Sequence, residues 1–199
     1  MALHGTGRIV LIWGAVGLAI AVPVVIAATS PLLAWRDPVY ILAGLAGVIG
    51  LALLLLQPLL AARLLPGLSA MAAARVHRWI GTALVGAVVL HVAALWVTSP
   101  PDVVDALLFR SPTPFSVWGV IAMWAVFASG LLAVGQRRLR LRPRTWRRAH
   151  VAAAAVIVGG TVLHALLIQG TMGVISKTVL CLLVLAATLW VIAAPLRRR

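Results

Sequence analysis

Four histidines carry the chemical content of this sequence. His77 and His91 stand 14 residues apart, and His150 and His164 repeat the same interval. At 100° per residue that interval falls about 40° short of four helical turns, so both imidazoles of a pair share one helix face. The rise of about 1.5 Å per residue separates them by about 21 Å along the axis. Each helix would carry one imidazole near each membrane surface. On parallel helices that face each other, His77 meets His150 at one depth and His91 meets His164 at the other. A facing His pair is an axial ligand set for haem iron. A single intramembrane His is ordinarily a hydrogen-bonding contact between helices. Two pairs with identical spacing and matching depth favour ligation of two haems. The fifth histidine, His4, lies in the N-terminal tail and has no assigned role.

The elements that must position these imidazoles follow from composition. The chain has 199 residues, 63% of them hydrophobic and only 10% charged, with no Glu and three Asp. Mean hydropathy is +1.12. A soluble fold of this size cannot hide so much apolar surface, which excludes an ordinary soluble enzyme, a disordered chain and a disulfide scaffold. The expected fold is an all-α polytopic membrane protein, a single domain of six transmembrane helices. The apolar runs predict spans over about 9–28, 39–60, 77–97, 115–134, 146–168 and 174–194. They are separated by Pro31 and Pro38, Pro66-Gly67, Pro100-Pro101, Pro143 and the stretch from Gly170 to Gly173. The first run is too long for the apolar region of a signal peptide and reads as a helix. The histidine pairs fall on the third and fifth spans. The one cysteine, Cys181, excludes an intrachain disulfide, a cysteine-ligated cluster and c-type haem attachment.

The net charge of +14 rests on 16 Arg and one Lys. In a soluble protein this balance would suggest nucleic acid. Here the basic residues lie between apolar runs, where they set topology and meet anionic lipid headgroups, so no nucleic-acid partner is expected. The positive-inside rule places Arg8, Arg63, Arg75, Arg78, Arg137, Arg138, Arg140, Arg142, Arg144, Arg147, Arg148, Arg197, Arg198 and Arg199 on one side, with both termini. Arg36, Arg110, Lys177 and all three acids fall on the other. Both termini are therefore expected in the cytoplasm, with the chain in the cell (inner) membrane.

Around the histidines, Ala153, Ala154, Ile157 and Gly160 share the His face of the fifth span, and Gly81, Leu84 and Val88 lie between the histidines of the third. Small residues leave room for a macrocycle, and they equally let helices pack closely. Arg75, Arg78, Arg147 and Arg148 flank the cytoplasmic pair and suit haem propionates. Positive-inside anchoring is the simpler role for any one of them. Trp79, Trp96 and Trp146 near span ends read as interfacial belt residues. The longest connection, from Thr98 to Pro114, carries Asp102 and Asp105. Carboxylates suit hard cations such as ferric iron, though two acids in a Pro-rich loop are more often simply solvated.

The stretch Val76-His77-Arg78-Trp79-Ile80-Gly81, followed by His91, resembles the third helix of the ferric reductase-like transmembrane domain. Trp146-Arg147-Arg148-Ala149-His150, followed by His164, is similar to its fifth helix. That superfamily includes ferric reductases, the membrane part of NADPH oxidases and the haem subunit of the bacterial methionine sulfoxide reductase system. The last is similar to this chain in its short length. The resemblance implies two b-type haems, His77/His150 holding the inner iron and His91/His164 the outer. It implies an oxidoreductase component for membrane electron transport. No Gly-rich dinucleotide fingerprint follows the last span, so the donor is expected to be a separate flavin reductase, bringing flavin through a partner, or quinol. The acceptor on the outer face would be a redox protein or ferric iron. A quinone-linked cytochrome b is the first alternative, although its usual Pro-Glu-Trp-Tyr motif is absent. A cofactor-free small transporter or assembly subunit is the second, although the spans hold no acid for ion coupling.

Overall fold

A computed structural model describes residues 2–136, 138 and 140–193, with side chains from residue 5 onward. Arg137, Ala194, Arg197, Arg198, Arg199 and the His4 side chain lie outside what is described. The described elements are helical: α1 (Ala2–Ala28), a 3-10 turn (Pro31–Leu33), α2 (Pro38–Ala61), α3 (Ala70–Thr98), α4 (Pro100–Leu107), α5 (Ser116–Gly135), α6 (Pro143–Leu167) and α7 (Val174–Ala193). All but α4 and the short turn are long and apolar enough to cross a membrane, which gives six candidate spans. The chain is a multi-pass all-α membrane bundle.

The helix ends show why these segments form. Asp37 accepts hydrogen bonds from the backbone of Val39 (2.7 Å) and Tyr40 (3.3 Å), and Pro38 occupies the first turn of α2, where its missing N–H costs nothing. Ser69 accepts from Ala72 N–H at 3.2 Å. That cap and the alanines behind it start α3 at Ala70, a full turn or more before the apolar run. Pro143 likewise opens α6 ahead of Trp146. The connection from Thr98 to Pro114, expected to be irregular, instead contains α4. Pro100 and Pro101 mark a break and also begin a helix there, and the Ser99 hydroxyl donates to Asp102 at 2.5 Å.

α2 is the central helix. Leu51, Ala52, Leu54 and Leu55 pack in one cluster with Ile157, Val158, Val162 and Ala165 of α6 and Leu180, Cys181 and Val184 of α7. α2 pairs with α3, and α5 pairs with α6. Large apolar side chains such as Leu11, Leu131, Val134 and Ile175 stay exposed on the outside of the bundle, the surface that lipid covers. α3 and α6, the two histidine helices, do not pack backbone to backbone along their lengths. They face one another across the junction of the two helix pairs.

Of the two roles open to a small residue on the His face, Gly160 serves close helix packing. A Cβ there would lie 2.9 Å from Trp118 O and 3.1 Å from the Ala122 Cβ, so Gly160 sets the close approach of α5 to α6. Gly81 similarly faces Gln57, at 3.5 Å, on α2. Leu84 and Ile157 are buried in the apolar core cluster. Gly160→Leu is expected to destabilise the bundle by about 1–3 kcal/mol through overpacking, read as a lower thermal midpoint in detergent.

Candidate functional site

The two facing pairs form as the spacing requires. The ring centres of His77 and His150 are 6.3 Å apart, at an interplanar angle of 65°. Those of His91 and His164 are 6.5 Å apart, at 82°. Matching contacts at both levels establish that α3 and α6 run parallel and in register. Two imidazoles binding one metal ion from opposite sides through nitrogens at about 2.0–2.1 Å, with roughly 1.1 Å more to each ring centre, stand about 6.2–6.4 Å apart. The observed separations, 6.3 and 6.5 Å, lie within or about 0.1 Å above that range. They exceed a direct hydrogen bond between the rings.

Each imidazole is held through Nδ1 by a flanking helix. His91 Nδ1 lies 2.7 Å from Ala43 O and His164 Nδ1 lies 2.9 Å from Phe115 O. His77 Nδ1 lies 3.2 Å from Gln57 O. A carbonyl only accepts, so in these three rings Nδ1 carries the proton and Nε2 keeps its lone pair. Such partners fix the tautomer and raise the basicity of a metal-binding nitrogen. The Gln57 amide also donates to His77 O at 3.4 Å, tying α2 to α3 beside the ring.

The His91/His164 pair is seated in two matching notches. A Cβ at position 47 would come within 3.1 Å of His91 Nδ1, and one at position 119 within 2.7 Å of His164 Nδ1. Each glycine follows by four residues the residue whose carbonyl accepts from the ring, Ala43 and Phe115 respectively. One helical turn thus provides both the acceptor and the space above it. The Phe115 ring adds an edge contact to His164, with centres 5.7 Å apart.

His150 is held differently. Its Nδ1 lies 3.1 Å from the Ser129 hydroxyl of α5. The Trp146 indole stacks on the ring at 5.2 Å and 8°, and donates its own N–H to Leu132 O at 3.2 Å. Trp146, read from its position as a belt residue, is therefore half-buried against the site. Trp79 and Trp96 remain exposed, as a belt requires. Ser129→Ala is expected to weaken metal or cofactor retention at this pair by about tenfold, the lower end of the usual cost of losing an outer-shell partner. Titration of the stripped protein would measure it.

Arg75, Arg78, Arg147 and Arg148 are exposed around the His77/His150 end. Arg63, Arg138, Arg140, Arg142 and Arg144 are exposed on the same connections. Asp37, Asp102 and Asp105 are exposed and lie on segments at the opposite ends of the spans. Among the described residues, no three His, Cys, Asp or Glu side chains gather as a metal site. The partners Gln57, Ser129, Gly47 and Gly119 were not singled out by sequence reasoning. Glycine inside apolar helices was the only signal for two of them, and backbone acceptors leave no mark in the sequence.

The helical membrane bundle thus stacks two histidine pairs between two parallel helices. The family model for the ferric reductase like transmembrane component matches residues 46–161, more than half of the chain. The chain belongs to that family, and membership supports a membrane electron-transfer role. The match takes in His77, His91 and His150 and ends just before His164. Comparison with curated proteins and with solved structures gives no match.

Proposed function

We propose that this chain is a di-haem b conduit that moves electrons across the cell membrane. The observation that carries this reading is the pair of ring separations, 6.3 and 6.5 Å. Nδ1 engagement at all four histidines supports it, because a flanking helix orients each ring. Two imidazoles per site, with no third protein ligand nearby among the described residues, are a donor set that would suit haem iron. His77 and His150 would hold one haem, and His91 and His164 the other. Arg75, Arg78, Arg147 and Arg148 stand where propionates of the first would emerge.

Haem, when bound, would supply a one-electron iron couple suited to passing electrons onward. The chain's contribution is to fix the ligands, bury them among apolar side chains and space the two sites along one helix pair. The arginine end faces the cytoplasm by the positive-inside rule, so electrons enter at the His77/His150 end. The donor is a flavin reductase partner or quinol. Electrons leave at the His91/His164 end, to an outer redox protein or ferric iron.

Vesicles carrying the purified chain in one orientation test the direction. With ferricyanide enclosed and a membrane-impermeant reductant outside, ferricyanide is expected to bleach only when the chain is present and haem-loaded. Bleaching that is equal in empty vesicles would overturn the conduit.

A further inference from the structure

Lys177 is the chain's single lysine and it is buried, 8% exposed, in the first turn of α7. Its ammonium donates to Ile168 O at 2.6 Å and to Leu166 O at 3.3 Å, at the C-terminal end of α6. Both acceptors are neutral carbonyls. The three acids of the chain are all exposed, and Asp37 and Asp102 are engaged with their own helix starts. A buried cation in a spanning helix with no carboxylate partner is costly. The dipole of α6 offsets only about half a charge. Ile168 N–H in turn donates to His164 O at 3.2 Å, so the ammonium sits one helical turn beyond His164. Charge held there, away from water, is poorly screened. At the other site the cations are exposed guanidinium groups, which solvent and salt screen well.

Resting on the di-haem reading above, we propose that Lys177 is a positioning charge that raises the reduction potential of the His91/His164 site and so draws electrons away from the His77/His150 site. A helix cap alone would need only a neutral donor, and the positive charge is what acts across the turn to His164.

The test is a redox titration of the two haems in wild type, Lys177→Gln, Lys177→Arg and Cys181→Asp, with the His164→Ala variant used to assign the waves. Cys181 is buried one turn further along the same face of α7. A carboxylate there would neutralise Lys177 while leaving its two carbonyl contacts in place. Lys177→Gln and Cys181→Asp are each expected to move the electron distribution between the sites about tenfold toward His77/His150, equal to about 59 mV for one electron. Lys177→Arg, which keeps both charge and donors, is expected to stay close to wild type. Lys177→Gln keeps a neutral donor, so a cap role alone would leave its gap between the waves unchanged. If Lys177→Gln fails to retain haem, Cys181→Asp decides. A gap between the waves that is unchanged, or equal movement of both waves, overturns this inference and leaves the conduit standing. A wild-type chain without haem overturns both.

Discussion

On the proposed di-haem reading, His164→Ala is expected to leave one haem per chain instead of two. The argument is geometric. In the proposed di-haem arrangement His91 and His164 would be the ligands at their level, and α3 and α6 otherwise make little contact. Removing one imidazole leaves the other fixed to Ala43 O, at 2.7 Å, with nothing opposite it. Neighbouring side chains offer no replacement, since Phe115 is the only other ring in contact with His164 among the described residues. The His77/His150 site lies about 21 Å along the helices and has its own supports in Gln57, Ser129 and Trp146. It should survive intact. His91→Ala is expected to give the same loss, and His77→Ala and His150→Ala the complementary one. A reduced-minus-oxidised spectrum of each variant measures this. Loss of both haems in every single variant would mean that the histidines hold the fold together instead of dividing into two sites.

Gly119→Ala is expected to weaken haem retention at the His91/His164 site by about 10–100-fold, the usual cost of disturbing the outer shell of a metal site. Its Cβ would stand 2.7 Å from His164 Nδ1 and 2.9 Å from Cε1, inside any tolerable contact, and the ring would have to leave Phe115 O. The same change at Gly47 meets His91 at 3.1 Å, a contact the ring can relieve by a few tenths of an ångström. Gly47→Ala should therefore be the milder variant, and Gly119→Leu the more severe. Titration of haem into the stripped variants gives the order. If Gly47→Ala proved as damaging as Gly119→Leu, the seating of these rings would not be what limits retention. The His77/His150 wave serves as the internal control in each case.

Much of this was legible in the sequence for physical reasons that can be named. Interval arithmetic on His77, His91, His150 and His164 depends only on helix pitch, and the structure brings those rings together in the pairs expected. Six apolar runs gave six spanning helices because the hydrocarbon core sets a minimum length. The helix starts were less legible. α3 begins at Ala70 because a Ser69 cap and alanines extend a helix beyond its apolar stretch. α4 was missed because a proline pair reads as a break and serves equally well in a first turn. Gly160 could not be assigned from sequence because a small residue on the His face fits either a ligand or a neighbouring helix, and only the packing of α5 decides between them. Lys177 counted only among the outer-side charges in the sequence, and the structure shows it buried in α7 as a cap on α6. The parts hidden from the sequence are those that depend on which helices are neighbours, and above all on the backbone carbonyls that orient the rings.

The central claim is that four histidines hold two haems between α3 and α6. Its most direct test is a pyridine haemochrome count on the protein purified from cells supplied with iron and haem precursor. The expected result is two b haems per 20.9 kDa chain, with low-spin spectra typical of paired histidine ligation. A colourless protein, or haem that is high-spin and lost without regard to His91 and His164, would contradict it.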